Sequence, residues 1–266
     1  MNKKQTTIRA NNFLNYVFII ILILSGVKTK GQVHAYKPGE YFKFKIHYGF
    51  FNAGFATLNL QTDMYQQKKM YHAIGKGWTT GISSWFMEVD DHYESYFDSS
   101  NRPYKFIRKI DEGGYTKDKK LFFNHSEKKV SVVDIKKNKK QTFSIPETVQ
   151  DMVSVFYYLR NYNTSNLKPG DVIVVNMFFD EEVYPFKLKL IGRTTLKTKF
   201  GKIKSLIFRP IVQSGRVFKE DESLTVWISD DQNKMPLLIK AKLLVGSLKA
   251  SLIEYKGLKY PVNFKS

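Results

Sequence analysis

Apolar and polar residues alternate with a period of two through most of this chain, the pattern of strands with one buried face. Between Tyr41 and Tyr48, Phe42, Phe44, Ile46 and Tyr48 fall on one face, and Lys43, Lys45 and His47 on the other. Asn52-Ala53-Gly54 reads as a turn, after which Ala56, Leu58 and Leu60 resume the alternation. Trp85, Met87, Val89, Asp91, Tyr93 and Phe97 share a face of one long strand. Further strands are predicted over 104–110, 121–123, 130–135, 172–179, 186–191, 203–208, 224–228, 237–244 and 248–255. The polar stretch Asn124 to Lys128 makes a hairpin of the two strands it joins.

One segment changes period. From Thr148 onward, Val149, Met152, Val153, Phe156 and Leu159 follow helical spacing. Thr148 and Asp151 resemble a capping box, with Asp in place of Glu or Gln. A helix from about Thr148 to Arg160 is predicted, ending before the Pro169-Gly170 turn. The expected fold is therefore mainly β: a strongly curved antiparallel sheet or open barrel with this amphipathic helix on its concave side. No repeat or long linker divides the chain, so residues 32–266 read as a single domain.

The first 31 residues read as a signal peptide. Lys3, Lys4 and Arg9 precede an apolar run from Phe13 to Leu24, too short for the roughly 20 residues that span a bilayer. Cleavage is expected near Gly31, which places the protein in the periplasm or outside the cell. No later segment is apolar and long enough to cross a membrane as a helix. The chain has no cysteine, which excludes a lipoprotein anchor, disulfides and thiolate chemistry. Aromatic residues make up 15% of the chain and supply apolar area for a core without cross-links.

The charge is strongly basic, with 43 Lys and Arg against 24 Asp and Glu, a net +19. Removing residues 1–31 takes away five basic residues and no acid, leaving +14. Behind a signal peptide this points away from nucleic acid and toward anionic lipid, acidic glycan or an envelope protein as partner. The lysines also cluster at predicted hairpin tips such as Lys136 to Lys140, where they serve solubility and blunt strand edges.

Signals for catalysis are sparse. Asp90, His92 and Glu94 point to one face of a strand and offer a polar cluster with metal-ligand chemistry, although three ligands from one strand are geometrically awkward. The ordinary alternative is a solvated strand face. Asp180-Glu181-Glu182 and Asp230-Asp231 could supply carboxylate pairs for glycoside hydrolysis, but both fall at predicted turns. Asp111 to Tyr115 is a glycine turn. No serine-hydrolase elbow or nucleotide-binding loop is present in the sequence, so neither a cofactor nor a catalytic set is assigned.

Read as a whole, the chain resembles a bacterial exported family known as domain of unknown function 3108, in its Bacteroidetes form. The resemblance rests on Gly39-Glu40 leading into Ile46 to Gly49, on Asp90 to Tyr96, and on Glu112 to Tyr115. It continues through Val149 to Asp151, Phe156 to Arg160, Lys168 to Asp171, Trp227 to Asp231, Pro236 and Ile239 to Lys242. His47 departs from the polar residue expected there. The resemblance implies a periplasmic or outer-envelope β protein without an assigned activity. The leading expectation is a non-catalytic protein binding an apolar or amphipathic ligand, or a partner, in its concavity. Phe42, Phe44, Trp85, Phe106 and Trp227 would line that cavity. A cell-wall or polysaccharide hydrolase and a structural or assembly component of the envelope are the alternatives.

Overall fold

The computed structural model describes residues 34–81, 84, 88–211, 224–243 and 246–264. The predicted leader, Trp85 and Met87 lie outside the described residues. The alternating segments form β1 (Glu40–Tyr48), β2 (Phe51–Tyr65), β3 (Lys68–Thr79), β4 (Val89–Phe97), β5 (Pro103–Glu112), β6 (Tyr115–Asn124), β7 (Lys129–Asp134) and β8 (Lys139–Ser144). A short helix α1 (Ser154–Arg160) follows. The second run is β9 (Val172–Phe179), β10 (Glu182–Thr198), β11 (Gly201–Ile211), β12 (Leu224–Ser229), β13 (Pro236–Lys242) and β14 (Ser247–Lys256).

These strands make one antiparallel sheet of 14 strands in the order β8-β7-β6-β5-β4-β3-β2-β1-β14-β13-β12-β11-β10-β9. The chain meanders outward from β1 to the β8 edge, crosses through α1 and re-enters at the opposite edge, β9. It then meanders back until β14 pairs with β1. Such a route requires the sheet to curl, because one short crossover must join its two edges. Register shifts at Lys43/Phe44, Ile46/His47, Tyr96/Phe97, Leu190/Gly192 and Trp227/Ile228 assist by raising the local twist. The edges meet through the segment after β8: Gln150 bridges Met177 in parallel, its N–H donating to the Asn176 carbonyl at 2.9 Å. The Phe178 N–H returns a bond to the Gln150 carbonyl, also at 2.9 Å.

Several expectations are corrected in detail. The first hairpin turns at Gly49-Phe50, and Asn52 to Gly54 lie within β2. Strands β3 and β8 escaped the period-two reading, because glycines interrupt one and the other is the polar run Lys-Lys-Gln-Thr-Phe-Ser. The helix starts six residues later than predicted. Gln150 is drawn into a bridge with β9, and a backbone carrying that bridge cannot also be helical. Asp151 then caps the helix: its Oδ1 accepts the N–H groups of Val153 (2.8 Å) and Ser154 (2.7 Å). Ser154 Oγ accepts the Asp151 N–H at 2.9 Å, completing a capping box one turn beyond Thr148.

No residue of the helix is exposed: Ser154, Val155, Tyr157 and Arg160 are buried, and Phe156, Tyr158 and Leu159 are half-buried. Val153 and Tyr157 join a cluster with Leu60, Phe97, Phe106, Leu121 and Phe123. Val155 joins a second with Ile173, Leu190, Leu206 and Phe208, and Phe156 packs against a third built on Phe42, Phe44, Ile203 and Leu252. This accounts for apolar residues around the whole of α1, where a surface helix would keep a polar face.

At the end of α1, Arg160 (2% exposed) forms a buried ion pair with Glu40 (1% exposed) at the start of β1. Its Nη2 donates to Glu40 Oε2 at 2.8 Å, and Nη1 donates to Oε1. Nε and Nη2 donate to the Asn233 carbonyl in the β12–β13 turn at 2.9 and 2.8 Å. The rings of Tyr36, Phe42, Phe156 and Tyr157 surround the guanidinium with centroids 5.2–5.8 Å away. Beside it, Asn161 accepts the Ala35 N–H at 2.8 Å and donates to Asn101 Oδ1 at 2.8 Å.

Two stability predictions follow from these buried charges. Replacing either Glu40 or Arg160 alone strands the other charge and is expected to cost about 3–5 kcal/mol in urea unfolding. The double variant Glu40→Gln/Arg160→Met should lose clearly less than the sum of the singles; strict additivity would show the two to be uncoupled. Burial pushes the Asp151 carboxyl up to about 6, against the lowering by its hydrogen bonds from Ser95, Ser154 and Val153. Because the folded value is raised, its contribution is fully present below the ordinary value near 4 and is lost as pH climbs through about 6. The interval corresponds to about 3 kcal/mol. Asp151→Asn should lessen the stability-against-pH slope in that window, leaving the share of the similarly raised Asp91, and an unchanged slope would assign it to other groups.

Candidate functional site

On the outer face of the sheet, β3 to β6 frame a depression of about 670 Å3. Strand alternation brings Asp90, His92 and Glu94 to this face, as the sequence predicts for one side of a strand. The register sets His92 between Lys76 and Lys109, places Asp118 beyond Lys109, and puts Asp90 opposite Asp111. Lys120 and Lys136 complete the basic lining. On this face four lysines (Lys76, Lys109, Lys120 and Lys136) and the four carboxylates of Asp90, Glu94, Asp111 and Asp118 balance in formal charge, so the depression is not an anion trap. It offers hydrogen-bond donors and acceptors of both signs to a polar ligand.

Glu94 is the organising group of this wall. Its Oε1 lies 2.7 Å from His92 Nε2 and its Oε2 lies 2.8 Å from His72 Nε2, each imidazole donating. Burial would raise its pKa, but the hydrogen bonds from His92 and His72 outweigh this and hold it below the usual range. His72 is itself buried, stacked on Tyr96 at 3.9 Å, with Nδ1 3.3 Å from Gln61 Nε2. Both Glu94 oxygens are thus committed to imidazoles. Asp90 makes no bond with them, and among the described residues no group of three His, Asp or Glu side chains converges as a metal site. On the opposite face, burial and then the charge of Glu112 push the Asp91 carboxyl up to about 6.

The residues proposed to line an interior cavity are dispersed. Phe42 and Phe44 lie in one buried cluster, their ring centroids 6.5 Å apart. Phe106 belongs to a different cluster. Trp227 is half-buried at the margin of the first, with Lys240 over its ring at 5.5 Å. The void beside Phe106, bounded by Arg108, Leu121, Phe178 and Phe179, measures about 20 Å3. That is room for about one water molecule. The helix and its clusters occupy the concave side.

The acidic turns have structural partners. Asp180 and Glu181 form the β9–β10 turn, both at positive φ. Asp180 Oδ1 accepts from Arg108 at 3.0 Å and Lys117 at 3.1 Å, and Glu181 Oε1 accepts from Lys119 at 2.6 Å. They clasp the β9–β10 hairpin to β5 and β6 across the seam of the sheet. Asp230 faces Arg193 at 3.4 Å, while Asp231 Oδ1 accepts the Asn233 and Lys234 N–H groups within its own turn. Neither run lines the depression. Two exposed features escaped the period-two reading: the Phe50-Phe51 tip, hidden by the misplaced first turn, and the β9 edge with Val172 and Val174 exposed.

A family model described as "Protein of unknown function (DUF3108)" matches residues 43–253. No curated protein matches the chain. Among solved structures, a beta-barrel-like protein of domain of unknown function DUF1849 from Brucella abortus superimposes with a TM-score of 0.58 at 9% identity. The match covers 85% of this chain and 100% of that one, and at this identity it is a likeness of fold alone. A DUF1089 family protein from Pseudomonas aeruginosa gives a TM-score of 0.34 at 8% identity, covering 77% of this chain and 92% of that one. That likeness is too slight to carry an argument.

The seam clasp is open to a direct test. Asp180→Asn combined with Glu181→Gln removes half-exposed ion pairs and is expected to lower stability by only about 1–2 kcal/mol. It should nonetheless speed hydrogen exchange at the Phe178 amide, which bonds across the seam. Unchanged exchange there would mean that the apolar contacts of Phe178 hold the seam alone.

Proposed function

The chain belongs to the DUF3108 family, of unknown function, and from its filled interior we propose that it is an exported, non-catalytic component of the cell envelope that acts through its surface. The carrying observation is the concave side, occupied among the described residues by α1 and three apolar clusters, with a void of about 20 Å3 beside Phe106. Ligand pockets run to about 300 Å3 or more. A structural or assembly role therefore fits better than transport of an apolar molecule in the concavity. The carboxylates that might have formed a hydrolytic pair support the non-catalytic reading, because the turns at Asp180 and Asp230 are held in ion pairs. The predicted leader and the basic charge are consistent with work among envelope polyanions.

Surface action also has a structural opening at β9. The Gln150 bridge uses the backbone of Asn176 and Phe178, whose groups point away from β10. By strand alternation, the N–H and C=O of Val172 and Val174 point the same way, and these residues are 43% and 56% exposed. A second reading, capture of a polar envelope glycan, is favoured by the size of the outer depression.

Native mass spectrometry of the protein purified without detergent tests the main proposal. The expected spectrum is the polypeptide mass alone. A stoichiometric lipid adduct would overturn the filled-interior reading, and a retained glycan would favour the second.

A further inference from the structure

The turn between β1 and β2 presents the most exposed large apolar side chain among the described residues. Phe50 is 101% exposed, Phe51 71% and the adjoining Tyr48 40%. Tyr48 pairs with Phe51, which leaves Gly49-Phe50 as a two-residue turn. Gly49 has φ +56° and Phe50 does not share its positive φ, the pattern of a type II′ hairpin turn. The neighbouring β13–β14 turn braces it. The Gly49 N–H donates to the Ser247 carbonyl at 3.0 Å. Gly246 lies so close to the Tyr48 ring that a Cβ there would stand 2.6 Å from its Cζ. The two phenylalanines are thus carried on a braced backbone and held away from the core.

The strands behind this tip are uniformly basic. No Asp or Glu occurs from Tyr41 to Thr62 or from Pro236 to Ile253, while Lys45, Lys240, Lys242 and Lys249 do. The register aligns His47 with Lys249 and Lys249 with Lys240 on one face. The His47 imidazole is held below its ordinary pKa by burial and then by Lys45 and Lys249, as a local positive potential requires. In the row of Lys45, the first acid is Asp90, three strands away.

We infer that this tip docks the protein on an anionic lipid bilayer, Phe50 and Phe51 entering the interfacial region while the flanking lysines meet headgroup phosphates. Aromatic side chains at a membrane boundary, backed by basic residues, combine apolar burial with attraction to anionic lipid. A fluid interface needs no complementary pocket, whereas a stable protein interface buries about 1,000 Å2 or more, beyond what a two-residue tip offers. A second copy docked tip to tip would oppose lysines to lysines. The inference rests on the reading that the protein acts through its surface, and names that surface's partner.

The test is co-sedimentation of the full chain with vesicles of phosphatidylcholine alone and of phosphatidylcholine mixed with phosphatidylglycerol. Every variant is produced with identical leader processing. The wild type should sediment with the anionic vesicles and be released by salt. Phe50→Ser/Phe51→Ser should weaken this by about tenfold or more, from the apolar burial it removes. Lys45→Glu/Lys249→Glu should abolish the preference for anionic lipid. Circular dichroism should be unchanged, since the exposed side chains contribute little to the core. Absence of wild-type binding, or equal binding by the Phe50/Phe51 variant, would overturn the inference. Self-association that the Phe50/Phe51 variant abolishes, without vesicle binding, would assign the tip to a second copy and overturn it as well. Failure on vesicles leaves the filled-interior reading standing, because native mass spectrometry tests that independently.

Discussion

The buried pair between Arg160 and Glu40 ties the crossover helix to two parts of the sheet that do not pair with each other directly. Arg160 ends the crossover helix, Glu40 opens the first strand, and Asn233, whose carbonyl accepts two of the guanidinium bonds, sits in the β12–β13 turn. Asn233 in turn donates to the Tyr260 carbonyl at 2.9 Å and accepts the Tyr260 N–H at 3.0 Å, which draws in the C-terminal segment. Two charges removed from water are costly, and such a pair often adds little net stability over an apolar substitute. Its contribution is selective: with every guanidinium nitrogen bonded, the helix has one favoured depth and rotation in the sheet.

Curl and filling are consequences of each other. A sheet whose two edges are joined by one short crossover has to bend until those edges approach, and bending creates a concave side that cannot remain empty without losing packing contacts. Here α1, apolar around its circumference, supplies the filling and contacts all three clusters. The same curl carries the β9–β10 turn over β5 and β6, where Arg108, Lys117 and Lys119 meet Asp180 and Glu181. A cluster of acids that resembles a catalytic pair in one dimension becomes a clasp in three. The features left open to solvent among the described residues include the charge-balanced depression, the β9 edge and the Phe50-Phe51 tip.

The outer depression shows how a legible cluster acquires its meaning from neighbours. Strand alternation alone places Asp90, His92 and Glu94 on one face. It says nothing of His72, which arrives from β3 and takes the second Glu94 oxygen. With both oxygens occupied, Glu94 orients imidazoles, and Asp90 is left facing Asp111 across the β4–β5 register. Similarly, alternation puts Phe42, Phe44 and Phe106 on a buried face, yet it cannot distinguish a residue lining a cavity from one packed in a solid core.

What the sequence by itself determined is what depends on local physics. Period-two alternation located most of the strands, glycine and acidic turns such as Gly113-Gly114 and Asp180-Glu181 located hairpins, and the change of period at Val149 to Leu159 located the helical crossover. Curvature, with a helix on the concave side, was legible because a single apolar helix amid strands has to be covered. Only the tertiary structure decided where that helix begins, since pairing of Gln150 with Met177 competes for the same backbone groups. It alone brought Glu40 to Arg160, 120 residues apart, and left Phe50 outside. Contacts of that range depend on the order and curl of the strands, which alternation within any one strand does not encode.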